Sequence, residues 1–263
     1  MPGDWTRDQL LLTFNLYCKI QFAKTKANNP AVIEVARLIG RSSAAVAMKL
    51  GNFGSFDPAL QAQGISGLKR ASKADRGIWD EFQHNAESLA IESEMAADRF
   101  HVNLSPEAAQ RGETKKRIRE PKERIISGPS EALREVKVRL HQRFFRDTVL
   151  ASYGLACSLC GNPVPELLIA AHIINWAKRE DLRVNPRNGI CLCSLHHAAF
   201  DCGFWCVDNS YGVVISKDLR AFAPNDALET DFIQHEGTKV RLPDKFWPEQ
   251  EFLEHHRRNI FRK

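Results

Sequence analysis

Two pairs of residues in the C-terminal half of the chain have the spacing of metal ligands. Cys157 and Cys160 are separated by two residues, and so are Cys193 and His196. Two such pairs are typical of tetrahedral Zn²⁺ sites. Six of the seven cysteines fall within fifty residues, and in a chain that we expect to be cytosolic this clustering favours metal binding over disulfides. We therefore predict a structural zinc ion, and we expect the other three clustered cysteines to be small buried residues: Cys191, Cys202 and Cys206.

A second group of residues, with side chains that could act in catalysis, lies between and beside these pairs in the sequence. His172 follows an apolar run, Asn188 lies in an Arg-Asn-Gly turn, and His197 comes directly after His196. A neutral imidazole near pH 7 can accept a proton from water. Adjacent residues on a helix point about 100° apart, so His196 and His197 cannot serve the same site.

The elements that must position these residues form a strand–loop–strand–helix unit. Strands are predicted at 167–174 and 190–192, with a helix at 194–200 capped by Ser194. A β-hairpin is expected from 204–207 and 212–215, and the aromatic tail 243–263 should cover the same core. A helix at 130–153 should lead into the cysteine cluster.

The segments AAHIINW at 170–176 and NPRNGICLCSLHHAAFD at 185–201 closely resemble bacterial HNH, or ββα-metal, restriction endonucleases. The resemblance implies a metal-dependent phosphodiester hydrolase acting on DNA. It assigns His172 as the general base, Asn188 as the residue that fixes the catalytic loop and holds His172 through its amide, and His197 as a ligand of a catalytic Mg²⁺ or Mn²⁺ ion.

Two points of the resemblance stay open. In relatives without the zinc pair, the position of His196 is itself catalytic; we assign His196 to zinc because Cys157, Cys160 and Cys193 are all present. Many relatives carry Asp or His immediately before the base, where this chain has Ala171. Either Asp201 or phosphate and water would complete the catalytic metal site.

The first hundred residues are predicted to be helical. Helices are expected from Thr6 to Tyr17, from Pro30 to Ile39, from Ala44 to Leu50 and from Ser72 to Phe100. The third should be capped by Ser42 or Ser43 and stopped by Gly51-Asn52. The second and third form a helix-turn-helix layout, and the segments WTRDQL at 5–10 and GRSSAAVAMKL at 40–50 resemble a Myb-like DNA-binding fold. This front domain before an HNH unit is similar to bacterial restriction enzymes acting on modified, including phosphorothioated, DNA. The residues predicted to contact DNA are Arg41, Ser42, Ser43, Lys49, Arg139 and Arg143.

Composition and charge agree with a nucleic-acid partner. Net charge is +5, and Pro106–Leu150, with 12 Lys or Arg against 7 Asp or Glu, carries an excess of the same size. A localised basic stretch favours a polyanion such as nucleic acid; the alternative on charge alone is a solvated linker. The fold class predicted is α+β: an all-helical DNA-recognition domain at 1–103, a basic linker at 104–130 and a zinc-containing nuclease domain at 131–263. No stretch is apolar enough to span a membrane, and we expect a cytoplasmic protein.

Two functions follow from these features. The first is a restriction-type endonuclease acting on double-stranded DNA, with a homodimer expected because a single ββα site normally cuts one strand. The second is a non-catalytic regulator that combines a helix-turn-helix with a structural zinc module. Only the first requires His172, Asn188 and His197 together with a divalent ion.

Overall fold

The computed structural model describes residues 4–65, 72–111, 129–177 and 179–263, and this part of the chain is mostly helical. The helices before the first strand are α1 Arg7–Lys19, α2 Pro30–Leu38, α3 Ser43–Gly54, α4 Pro58–Ala62, α5 Lys73–His84, α6 Ala86–Arg99, α7 Pro106–Arg111 and α8 Pro129–Ser152. The elements that follow are β1 Leu168–His172, β2 Gly189–Cys193, α9 Ser194–Asp201, β3 Trp205–Val207, β4 Val213–Ile215, α10 Lys217–Arg220, α11 Asp226–Asp231 and α12 Gln250–Asn259. None of the described helices has both the length and the apolar character needed to cross a membrane.

The first helices begin at the residues whose side chains can cap them. Thr6 and Gln9 form a reciprocal capping box at the start of α1. Asn29 caps α2, with Pro30 in its first turn, and Ser42 caps α3 by accepting a hydrogen bond from the amide of Ala45. These contacts satisfy amide groups that lack partners at a helix N-terminus, and they confirm the predicted helix starts.

Two predicted helix ends are wrong. Helix α3 continues through Gly51-Asn52 to Gly54, because Asn52 faces inward and donates a 2.7 Å hydrogen bond to the carboxylate of Asp75. The single helix expected from 72 to 100 is two helices, α5 and α6, which meet at Asn85, where φ is −144° and ψ is 57°.

Part of the predicted linker is folded. Residues Pro106–Arg111 form α7, where Ala108 is buried and Glu107 pairs with Arg146 of α8 at 3.1 Å. The first residues of the expected 104–130 segment therefore pack on α8. Most of the remaining basic stretch, residues 112–128, lies outside the described residues.

Two hydrophobic clusters meet along α8. Phe144 belongs to the cluster built by the N-terminal helices, whereas Phe145 belongs to the cluster around the strands. In the tail, Phe252 joins the second cluster as expected. Phe246 does not cover the nuclease core, because it stacks on Trp79 in the first cluster with ring centroids 6.2 Å apart.

Buried charges also join the helical region to the later elements. The amine of Lys19 on α1 pairs with Glu94 on α6 and, at 3.0 Å, with Asp147 on α8. The buried amine of Lys245 donates to the carbonyls of Tyr17, at 2.7 Å, and of Ile20. Buried charges need partners of this kind, so these contacts fix how α1, α8 and the C-terminal tail pack together.

The strands and α9 form the expected ββα unit. Strands β1 and β2 are antiparallel, with Leu168 opposite Cys193 and His172 opposite Gly189. A Cβ atom at Gly189 would lie 2.5 Å from Val149 of α8, so this glycine lets the helix approach the hairpin closely. Cys193, not Ser194, is the N-cap residue of α9. Strands β3 and β4 pair as the predicted second hairpin.

Candidate active site and metal centre

Four residues converge at the point where the ββα unit begins and its helix starts. The ligand atoms of Cys157, Cys160, Cys193 and His196 all lie within 4.8 Å of one another. Zinc binds sulfur and imidazole nitrogen at about 2.0–2.3 Å, which puts tetrahedral ligand atoms roughly 3.3–3.8 Å apart. The cluster therefore has the composition and the compactness of a structural zinc site.

The imidazole of His196 is oriented for metal binding by its second nitrogen. Its Nε2 lies 2.8 Å from the carbonyl of Asp231, to which it donates. This leaves the lone pair on Nδ1, which lies 3.2 Å from the sulfur of Cys193 and 3.5 Å from that of Cys157. A backbone carbonyl that fixes the tautomer in this way is typical of zinc-binding histidines.

The thiol of Cys160 needs a nearby cation to ionise near pH 7. Burial, together with the nearby thiol of Cys157, raises the pKa of Cys160 to about 12. A bound Zn²⁺ would supply the positive charge that stabilises thiolates. Cys191 and Cys206 are buried as predicted, but the same prediction is wrong for Cys202, which is exposed at the end of α9.

His172 lies at the end of β1 in a partly enclosed site. Its ring stacks on Phe145 with centroids 3.7 Å apart and planes 6° apart. Its Nε2 donates to the carbonyl of Arg183 at 3.0 Å, which leaves Nδ1 as a proton acceptor. Burial lowers the pKa of His172, so the imidazole is neutral at pH 7 and can act as a base.

Asn188 fixes the chain directly after His172. The side chain is fully buried, accepts a 2.8 Å hydrogen bond from the amide of Ile174, and donates a 2.9 Å bond to the carbonyl of the same residue. Its own carbonyl accepts from the amide of Ile173 at 2.9 Å. The Asn188 amide therefore contacts the loop backbone rather than the imidazole of His172, so any positioning of His172 is indirect.

One cavity of about 380 Å³ joins the candidate catalytic residues. His172 lines it from β1, and His197 and Asp201 line it from successive turns of α9. The Nε2 atom of His197 lies 3.3 Å from a carboxylate oxygen of Asp201. The two neighbouring histidines thus serve different places, with His196 among the cysteines and His197 on the cavity.

The donor set on the cavity fits a hard divalent ion. His197 and Asp201 offer one nitrogen and one carboxylate from the same helix face, while Ala171 also lines the cavity and offers no ligand atom. Mg²⁺ keeps several water ligands in most protein sites, so two protein ligands with room for water and phosphate are chemically sufficient.

Three residues with polar or aromatic side chains that were not predicted as site residues also line this cavity: Asn175, Trp176 and His256. Asn175 and Trp176 follow His172 within the segment that carries the HNH resemblance, and that proximity was the available signal. His256 lies about eighty residues downstream, on α12, and only the tertiary fold brings it to the site.

The residues predicted to contact DNA from the front domain differ in availability. Arg41 donates to the carbonyl of Asp4 at 2.8 Å and lies over the ring of Trp5. Ser42 is exposed, and its hydroxyl caps α3; Ser43, beside it, is partly exposed. Lys49 is buried, and its amine pairs with Asp75 at 2.7 Å, which leaves no exposed charge for a phosphate.

The two arginines predicted to contact DNA from α8 also differ. Arg143 is partly exposed and pairs with the buried Glu94 and, at 3.2 Å, with Asp98, so its charge already has two carboxylate partners. Arg139 is exposed, and its partner within the described part of the chain is Glu135, one helical turn away, at 3.0 Å. Exposed pairs of this kind contribute little to stability, so Arg139 can exchange its partner for a phosphate.

Comparison with known proteins agrees with this geometry over the C-terminal part of the chain. No curated protein matches the sequence. A family model described as HNH endonuclease matches residues 157–208, about a fifth of the chain. The matched span contains the four residues of the cysteine–histidine cluster as well as His172, Asn188, His197 and Asp201. The match supports the presence of an HNH endonuclease domain at residues 157–208.

Proposed function

We propose that the protein is a restriction-type DNA endonuclease that hydrolyses phosphodiester bonds with a divalent metal ion. The observation that carries this proposal is the single cavity that joins a neutral histidine, His172, with the His197–Asp201 pair on α9. A regulator that only binds DNA needs neither a partly enclosed base nor metal ligands beside it.

His172 acts as the general base in this mechanism. Its Nε2–H is held by the carbonyl of Arg183, so Nδ1 takes the proton from the attacking water. The stacked ring of Phe145 keeps the imidazole in one plane. Asn188 fixes the residues that follow His172 and therefore the direction of the strand end.

The catalytic ion would be held by His197 and Asp201. Bound Mg²⁺ or Mn²⁺ would offset charge on the phosphate and assist the leaving oxygen. The zinc cluster supports this arrangement because His196, one of its ligands, directly precedes His197. A zinc ion there would tie the first turn of α9 to the Cys157–Cys160 segment, in a unit that buries little apolar surface.

The helical front of the chain would select the DNA. We divide the chain into a recognition domain at 1–103, a basic linker at 104–130 and a nuclease domain at 131–263. The contacts proposed are Arg41, Ser42, Ser43 and Arg139, whereas Lys49 and Arg143 are omitted because each pairs with a buried carboxylate, of Asp75 and of Glu94. The resemblance of the front segments to enzymes acting on modified DNA supports phosphorothioated DNA as the first target to test. Double-strand cleavage would require two copies of the chain.

The test compares unmodified and phosphorothioated preparations of one plasmid in Mg²⁺ and in Mn²⁺. Wild-type protein and the His172→Ala variant are purified in parallel, and binding is measured beside cleavage. Cleavage by the wild type alone, with binding by both proteins, supports the endonuclease, and the preferred plasmid identifies the target class. Binding of both plasmids without nicking in either metal would refute it and favour the zinc-containing regulator.

A further inference from the structure

The C-terminal helix α12 contributes to the catalytic cavity from outside the segment that matches the HNH family. Two residues near its C-terminal end, His256 and Ile260, line the cavity that also holds His172, His197 and Asp201. The family match ends at residue 208, so the contribution of α12 is a feature of this fold beyond the matched span.

His256 contacts the last turn of α9 in two ways. Its ring stacks on Phe200 with centroids 3.7 Å apart and planes 10° apart. Its Nε2 donates a 3.0 Å hydrogen bond to the carbonyl of the same residue. The side chain is almost fully buried, and its Nδ1 has no hydrogen-bond partner among the residues that the structure describes. The bond to Phe200 is therefore the polar contact that orients this ring.

The segment after α12 also contacts the turn that follows α9. The amide of Arg262 donates to the carbonyl of Gly203 at 3.0 Å. A side chain at Gly203 would collide with the carbonyl of Ile260, so the two segments pack backbone to backbone. Carbonyls in the last turn of a helix lack partners within the helix and fray unless other groups bond to them. The carbonyl of Phe200 accepts a 2.9 Å hydrogen bond from the amide of Gly203, and the Nε2–H of His256 on α12 adds a second donor to it.

Phe200 immediately precedes Asp201 in the turn that carries the metal-binding pair. We infer that His256 is a positioning residue, which fixes the last turn of α9 through the Phe200 carbonyl and so holds His197 and Asp201 in the geometry that binds the divalent ion. The inference rests on the proposed function for the role of that pair. His256 itself need not touch the ion.

The test measures Mn²⁺ affinity of the full-length, zinc-loaded protein by electron paramagnetic resonance, without DNA. His256→Phe keeps an aromatic ring against Phe200 but removes the N–H donor. His256→Gln keeps an N–H at similar reach from the backbone. His255→Phe makes the same substitution one residue away and serves as the matched control. Zinc content and the thermal midpoint are recorded for each variant.

We expect His256→Phe to weaken Mn²⁺ binding by about tenfold, the lower end of the effect of removing an outer partner of a metal ligand. His256→Gln should remain within threefold of the wild type, and His255→Phe should not differ from it. Equal affinities for wild type and His256→Phe, equal losses in both His256 variants, or no Mn²⁺ binding by the wild type would overturn the inference. Mn²⁺ binding with the expected losses but no cleavage of any DNA would leave the inference standing and refute the proposed function.

Discussion

The role of Asn188 gives a prediction whose size can be worked from the structure. Asn188→Ala removes both hydrogen bonds to Ile174, at 2.8 and 2.9 Å. Ile174 is buried, so its amide and carbonyl would lose their partners without gaining water. Each unsatisfied buried group costs about 1–3 kcal/mol, which predicts a loss of about 2–6 kcal/mol. Domains of 150–250 residues lose about 2–4 °C of thermal midpoint per kcal/mol, so a fall of at least about 4 °C is expected.

The assay is thermal unfolding followed by circular dichroism on the zinc-loaded protein, with plasmid nicking measured well below the midpoint. Asn185→Ala is the matched control, because Asn185 lies in the same loop, is only half-buried, and makes a single capping bond to the amide of Arg187 at 3.0 Å. Its loss should cost about 1 kcal/mol. If Asn188→Ala has the thermal midpoint of the control and nicks the plasmid at the wild-type rate, Asn188 does not fix the loop that follows His172.

His172, Cys160 and Phe246 each give a further testable prediction. Burial lowers the pKa of His172, so the neutral base predominates above pH 6.5. The single-turnover nicking rate should therefore be constant above pH 6.5 and fall below it. A rate that keeps rising between pH 7 and 8 would contradict this role of His172. Cys160→Ser should lower the zinc content, measured by atomic absorption, from one ion per chain towards none. Cys202→Ser changes another exposed cysteine and should retain the ion. Equal zinc content in both variants would exclude the proposed ligand set. Phe246→Ala should lower the free energy of unfolding in urea by about 3–5 kcal/mol, as expected for a large side chain lost from a core. A variant as stable as the wild type would refute the placement of Phe246 among the N-terminal helices.

Much of the local structure could be predicted because its determinants are close together in the sequence. Thr6, Asn29 and Ser42 cap their helices through side chains that bond amides two or three residues away. The spacing of the Cys157–Cys160 and Cys193–His196 pairs likewise predicted the cluster that the structure brings together. In each case the sequence separation alone limits the geometry.

The wrong predictions depend on partners distant in the sequence. Gly51-Asn52 resembles a helix stop, but the bond of Asn52 to Asp75 makes continued helix favourable. The availability of Lys49 and Arg143 for DNA likewise depends on Asp75 and Glu94, the carboxylates that pair with them. Phe246 could not be separated from the other tail aromatics, because its partner Trp79 lies on α5, far from the tail in the sequence.

The candidate site divides in the same way. His172, His197 and Asp201 belong to one local motif, and the ββα geometry brings them to one cavity. His256 reaches that cavity only because α12 packs against the end of α9. No periodicity or spacing in the tail distinguishes His256 from His255, its neighbour.

The central claim is that His172 removes a proton from water during phosphodiester cleavage. The most direct measurement is the single-turnover nicking rate of a plasmid that the wild type cuts. It compares His172→Ala with His84→Ala, purified in parallel; His84 is exposed on α5. Loss of a general base typically costs about 10²–10⁴-fold in rate, so His172→Ala should bind the plasmid normally and nick it at least 100-fold more slowly, while His84→Ala matches the wild type. Nicking by His172→Ala within threefold of the wild-type rate would contradict the account.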